Sequence, residues 1–230
     1  MIKLFEQFNN EQEIIEICKK YNIENYTINS NGSVDVDGSV YLFQKTLVEI
    51  PLNFNNVTGD FLISDNRITS LRGCPREVGG DFSCSRNKIT NLIGGPEFVG
   101  SEYFANSNYL LNSLEGSPTH VGKDFNLYSN NKLTSLKGCP LILNNLDISD
   151  CQYLKIIDIS VEVKKFIILH NSGLDSVLKK YNVFNYTGNI LDQNILRIIF
   201  EHGIDYDIFN SDGSVNEKNV KRLYKDFDLW

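Results

Sequence analysis

Apolar and polar positions recur in a set order along the middle of the chain. Residues 59–78 read GDFLISDNRITSLRGCPREV and residues 80–99 read GDFSCSRNKITNLIGGPEFV. Residues 101–121 read SEYFANSNYLLNSLEGSPTHV and residues 123–143 read KDFNLYSNNKLTSLKGCPLIL. A period of about 20–25 residues predicts a solenoid, in which each unit buries its apolar face against the next. With Φ for an apolar residue, the template is Φ-x-Φ-x-x-N-x-Φ-x-x-Φ. It is met by Phe61, Ile63, Asn66, Ile68 and Leu71, and by Phe82, Cys84, Asn87, Ile89 and Leu92. With one extra residue each it is met by Tyr103, Ala105, Asn108, Leu111 and Leu114, and by Phe125, Leu127, Asn131, Leu133 and Leu136. A weaker match precedes these (Val40, Leu42, Leu47, Ile50). Two follow: Leu146, Ile148, Cys151, Leu154, Ile157, then Phe166, Ile168, Asn171, Leu174, Val177. Seven turns are expected, with Lys45, Asn66, Asn87, Asn108, Asn131, Cys151 and Asn171 at the polar position.

The template has a physical reading. Φ-x-Φ is a short strand whose alternate side chains face opposite sides, so the Φ residues enter the core and the x residues form one outer face. The chain must then bend, and an inward Asn supplies donors and acceptors to backbone groups that would otherwise be buried unpaired. Asn66, Asn87, Asn108, Asn131 and Asn171 are therefore expected to form an asparagine ladder. Gly73, Gly94, Gly116 and Gly138 stand two residues before Pro75, Pro96, Pro118 and Pro140. Glycine permits positive φ and proline removes a donor, so the return limb reads as an irregular turn. Val57, Val78, Val99 and Val121, with Leu143, close the core before the next unit.

The ends differ from the repeat. Residues 1–22 carry a helical stripe of Phe5, Phe8, Ile14, Ile15, Ile17, Cys18 and Tyr21. Residues 23–34 (IENYTINSNGSV) alternate and end in an Asn-Gly turn signal. Residues 178–189 (LKKYNVFNYTGN) echo residues 18–29 (CKKYNIENYTIN), and residues 204–215 (IDYDIFNSDGSV) echo residues 23–34. Residues 190–202 and 216–228 read as helices. Three regions follow: an N-terminal helix and hairpin cap over 1–37, a solenoid over 38–177, and a helical cap over 178–230. End turns of a solenoid need such caps because they would otherwise expose a core face and a strand edge.

The pattern GDF…N.(I/L)T(S/N)L.G.P..V resembles leucine-rich repeats, in the compact form found in proteins encoded by large tailed bacteriophages. The likeness covers residues 38–177. It implies a parallel strand spine, a role in macromolecular binding and no catalytic residues. The fold class is thus a leucine-rich-repeat-like solenoid, mainly β with irregular return limbs and with helical or mixed caps.

Composition narrows the function. The net charge of −7 disfavours nucleic acid and anionic membranes as partners, and no apolar stretch approaches the length of a membrane span. The N-terminus lacks the apolar core of a secretory signal. Scattered Cys18, Cys74, Cys84, Cys139 and Cys151 read as reduced packing residues. His120, His170 and His202 stand apart, and the sequence has none of the nucleotide-, metal- or nucleophile-carrying motifs, so no enzyme activity, cofactor or metal is expected. Asp35-Val-Asp37-Gly38 and Asp212-Gly213 look like fragments of calcium loops but read as turns. What remains is surface. The outward pairs are Tyr41/Phe43, Leu62/Ser64, Ser83/Ser85, Phe104/Asn106, Asn126/Tyr128, Asp147/Ser149 and Ile167/Leu169. Tyr41, Phe43, Leu62, Phe104 and Tyr128 put apolar groups where a structural role wants polar ones, which suits a protein partner, with Asn106 and Asn126 beside them. A virion or assembly component is the leading expectation. A cytoplasmic inhibitor or adaptor of a host protein, the recognition part of an enzyme, and a self-associating structural protein remain open.

Overall fold

A computed structural model of the chain describes residues 11–142, 144–155, 164–165, 167–180, 193–203, 205–212 and 214–227. Among the described residues, six successive turns each contribute one strand to each of two sheets. The first sheet is entirely parallel, with neighbours β3 (Val40–Tyr41), β5 (Phe61–Leu62), β7 (Phe82–Ser83), β9 (Tyr103–Phe104), β11 (Phe125–Asn126), β13 (Leu146–Asp147) and β14 (Ile167–Ile168). We call it the strand sheet. The second runs β1 (Tyr26–Ile28), β2 (Val34–Val36), β4 (Phe54–Val57), β6 (Glu77–Val78), β8 (Phe98–Val99), β10 (His120–Val121) and β12 (Leu141–Ile142). It is parallel except for the β1–β2 hairpin. The seven strands of the strand sheet delimit a β-solenoid of about six turns.

The second sheet corrects the expectation of irregular return limbs. Turns stack in register, so the backbone of a return limb finds its partners on the neighbouring turns. Gly79 N donates to Val57 O, Gly100 N to Val78 O and Gly122 N to Val99 O, each at 2.9 Å. β4 buries Phe54 and Val57, and each later strand of this sheet sends in a single side chain (Val78, Val99, Val121, Ile142, all fully buried). One inward residue leaves no alternation to read. Ile142, not Leu143, is that residue in the last strand, and Leu143 lies outside the described residues.

The corner between the sheets follows the chemistry of its glycines. Cys74 N, Gly95 N, Ser117 N and Cys139 N donate to Leu71 O, Leu92 O, Leu114 O and Leu136 O. The third residue of each of these turns is Gly73, Gly94, Gly116 or Gly138, with φ of 97, 85, 87 and 93°. That is the type II arrangement, for which glycine is the favoured residue.

The strand sheet gives two columns to the core. One is Val40, Phe61, Phe82, Tyr103, Phe125, Leu146 and Ile167, and the other is Leu42, Ile63, Cys84, Ala105, Leu127, Ile148 and Leu169, all at most 2 % exposed. Rings stack up the first column: Phe61–Phe82 at 6.2 Å, Phe82–Tyr103 at 4.7 Å and Tyr103–Phe125 at 5.1 Å between centroids. The Tyr103 hydroxyl is buried without a hydrogen bond of good geometry, beside the thiols of Cys84 and Cys74. Tyr103→Phe is therefore expected to stabilise the protein by about 1 kcal/mol, because it removes a buried polar atom and keeps the ring. A raised urea midpoint checks this, and a lowered one would show that the hydroxyl is satisfied by a thiol.

Helices stand at both ends. In α1 (Glu11–Tyr21), Ile14 and Cys18 are buried. Ile15, Ile17 and Tyr21 of the expected stripe are half-buried, and Phe5 and Phe8 lie outside the described residues. α2 (Gly173–Lys180), α3 (Gln193–His202) and α4 (Glu217–Asp226) follow the last turn. Asn216 caps α4 through Asn219 N, and Val220 and Leu223 are buried. The echo between the ends is a shared turn. Asn29 N donates to Ser33 O and Asn210 N to Ser214 O, both at 2.8 Å. Asn31 Oδ1 accepts from Ser33 N at 3.0 Å, as Asp212 Oδ1 does from Ser214 N at 2.9 Å. The echo at 181–189, the helix start at 190–192 and Ile157 and Phe166 lie outside the described residues.

Candidate functional site

Strand register places the outward side chains in rows. Tyr41, Leu62, Ser83, Phe104, Asn126, Asp147 and Ile168 are successive partners across the strand sheet. Two residues on, Phe43, Ser64, Ser85, Asn106, Tyr128, Ser149 and His170 form a second row on the same face, and two residues back, Ser39, Asp60, Asp81, Glu102, Asp124 and Asn145 form a third. The last outward pair differs from expectation. Ile167 and Leu169 enter the core and Ile168 faces out. The run Phe166-Ile167-Ile168-Leu169 is apolar throughout and carries no alternation of its own.

Of the expected site residues, Tyr41 (49 % exposed), Phe43 (44 %) and Tyr128 (40 %) are open, and Ile168 (42 %) joins them. Leu62, Phe104, Asn106 and Asn126 are half-buried. Tyr41 and Phe43 meet edge to face at 6.4 Å, with Leu62 beside Tyr41 in register. Serines separate this group from Phe104. Ser64 Oγ and Ser83 Oγ bond at 2.6 Å, and Ser85 Oγ donates to Asn106 Oδ1 at 2.5 Å. In the centre, Asn126 Oδ1 accepts from Tyr128 N at 3.1 Å. The Asp150 carboxylate, hydrogen-bonded to the Tyr128 hydroxyl, holds that phenol above its ordinary range. The face therefore carries an aromatic group at its first turn and another near its middle. Tyr109 and Tyr153, 63 % and 62 % exposed, lie just beyond it. They follow the ladder positions, where the repeat template places no constraint.

The ladder beneath the face is real but shifted. Asn66 Oδ1 accepts from Lys45 N and Leu47 N, both at 3.0 Å, and its Nδ2 donates to Leu42 O at 2.8 Å and Ile63 O at 3.0 Å. Asn87, Asn108 and Asn130 repeat the arrangement. Asn130, not Asn131, is the rung of its turn. Ser172, buried at 1 %, takes the place expected of Asn171, which is exposed and donates instead to Asp150 Oδ1 at 2.6 Å. The reason is reach. Each rung donates to the carbonyl three residues behind it (Ile63, Cys84, Ala105, Leu127), so the distance from the second inward residue is fixed at three. The residue before each rung is left-handed: Asp65, Arg86, Ser107, Ser129, Asp150 and Asn171 have φ of 53 to 61°.

A second ladder went unread. Asp60 Oδ1 accepts from Asp81 N at 2.9 Å and Asp81 Oδ1 from Glu102 N at 3.0 Å. Asp124 Oδ1 accepts from Asn145 N at 3.2 Å. The signal was the Asp of each GDF. Burial, with the Asp81 and Asp124 carboxylates close by, raises the Glu102 carboxyl.

The remaining candidates take structural parts. Asp35 accepts from Asn55 Nδ2 at 2.7 Å and Asn29 Nδ2 at 3.0 Å, which lowers its pKa. Asp212 is likewise lowered by its bonds to Ser214. His120 stacks on Phe98 at 5.5 Å and His202 on Phe227 at 4.8 Å. Among the described residues no three His, Cys, Asp or Glu are grouped to hold a metal, and no helix is long and apolar enough to cross a membrane. All five cysteines are free, and all but Cys139 are buried. Burial pushes Cys18 up to about 11 and Cys84 and Cys151 to about 12. A thiol reagent at pH 8 is expected to titrate at most Cys139 slowly in the native protein and all five after unfolding. Fast labelling of a second thiol would show that a core turn opens.

Comparison with protein families, with curated proteins and with solved structures finds no match to this chain.

Proposed function

We propose that the chain is a non-enzymatic protein-binding module that docks on its partner through the outer face of the strand sheet, as a leucine-rich-repeat-like solenoid with capped ends. The observation that supports this reading is the exposure of Tyr41, Phe43, Tyr128 and Ile168 on a rigid parallel sheet. Aromatic side chains on a fixed scaffold give large contact area at small entropic cost, which is the make-up of interface anchors. The repeat's likeness to proteins of large tailed bacteriophages makes a structural protein of a phage particle the partner to test first. Mass spectrometry of purified particles separates a virion component from a protein acting on a host target.

The face is tested by Phe43→Ser combined with Tyr128→Ser. These side chains are exposed, so the fold should stay within about 0.5 kcal/mol of the wild type. Partner capture in a pull-down should fall at least tenfold. Undiminished capture by the folded variant would move the site off this face. Strict monomer behaviour in light scattering at high concentration would argue against self-association through the same residues.

A further inference from the structure

The charge of the strand face is out of proportion to the rest of the molecule. Its three outward rows hold five carboxylates (Asp60, Asp81, Glu102, Asp124 and Asp147) and no Lys or Arg. The chain has 29 acidic and 22 basic residues. Taking five from 29 leaves 24 carboxylates against 22 cations elsewhere, so this one face accounts for five of the seven net negative charges. Along its margin Arg86 is paired with Asp65 at 3.4 Å.

The ladder role of these residues does not require charge. In the first turn Ser39 Oγ accepts from Asp60 N at 2.9 Å, the bond that Asp60 and Asp81 offer to their successors. A neutral acceptor therefore suffices. Carboxylates on successive strands, about 4.8 Å apart, repel one another; the Glu102 carboxyl is raised first by burial and then by the Asp81 and Asp124 carboxylates, with Lys123 opposing them. A row that stacks like charges where a hydroxyl would serve, beside exposed aromatic rings, is suited to a cationic occupant.

We propose that the strand face takes a basic, extended segment of its protein partner, with Lys or Arg side chains along the carboxylate row and over the exposed rings of Tyr41 and Tyr128. This inference rests on the reading of the face as a protein-docking surface and names the chemistry of what docks. Carboxylates supply electrostatic steering and register, and tyrosine faces add cation–π contacts.

The probe is a fluorescein-labelled peptide of alternating Arg and Ser, nine residues long, followed by anisotropy against the full chain, with the matching Glu-Ser peptide as control. The proposal expects binding of the first and none of the second, weakening as salt rises. The triple variant Asp60→Asn, Asp81→Asn, Asp124→Asn keeps a side-chain acceptor at every rung and should lose at least tenfold in affinity. Glu49→Gln, Glu97→Gln, Glu115→Gln removes the same charge from outside the face and should stay within about twofold. Equal loss in both triples would reduce the binding to net charge and overturn the proposal, as would absence of binding by the wild type. A partner captured by the Asn triple variant but lost with Phe43→Ser and Tyr128→Ser would overturn the basic segment and leave protein docking at this face intact.

Discussion

Asn108→Ala is expected to cost about 3 kcal/mol of stability. Asn108 is fully buried, and its side chain makes three bonds. Oδ1 accepts from Asn87 N at 2.8 Å, and Nδ2 donates to Ala105 O at 2.9 Å and Cys84 O at 3.2 Å. Alanine leaves one N–H and two carbonyls without that partner. Each orphaned group costs about 1–3 kcal/mol, partly relieved at the carbonyls because Cys84 O keeps Asn87 Nδ2 and Ala105 O keeps Asn130 Nδ2. The loss should appear as a lowered urea midpoint with unchanged slope. Asn131→Ala is the control. It is the neighbour of the true rung and accepts from no ladder amide, so its cost should be under about 1 kcal/mol. Comparable losses at 108 and 131 would show that the ladder contributes only its local turn.

That contrast shows what was legible in the chain. The spine was, because two inward side chains per strand give alternation over Val40–Leu42, Phe61–Ile63 and Phe82–Cys84. Asn66, Asn87 and Asn108 were rungs as expected. Asn131 was not, because the apolar spacing after the rung was kept constant when the spacing before it is the one the amide must span. Asn171 was not, because Ile168 was read as the second inward residue where Leu169 is, which moves the rung to Ser172. In both turns with an extra residue, that residue falls after the rung, between Asn108 and Leu111 and between Asn130 and Leu133, where the chain is already past the hydrogen bond. The second sheet was illegible for the opposite reason: each of its strands from β6 onward buries one residue, and a single Val has no period. On the candidate face, Tyr41, Phe43 and Tyr128 were placed correctly by alternation alone. The carboxylate row was hidden in plain view, since the Asp of GDF reads as part of a turn until its Oδ1 is seen bonding the next strand.

Phe82→Ala is expected to be the most damaging single truncation of the core, at about 4 kcal/mol. The ring is fully buried. It lies parallel to Phe61, 3° between planes, and packs on Tyr103 at 4.7 Å on its other side. Truncation removes contacts to both neighbouring turns, and the strands that hold those rings are paired through backbone bonds that resist collapse into the cavity. Phe61 N donates to Asp81 O and Cys84 N to Phe104 O, at 2.8 and 2.9 Å. Phe82→Leu should cost no more than about 1.5 kcal/mol, because Leu146 fills the same column position later in the solenoid. A solenoid is held by contacts between adjacent turns, so the damage should be local. In native-state hydrogen exchange, amides of β5, β7 and β9 should lose protection before those of β11 and β13. Uniform loss across all seven strands of the strand sheet would show that the turns unfold as one unit, and that the carboxylates and aromatic rings of the outer face are held in register by the whole solenoid rather than by neighbouring turns alone.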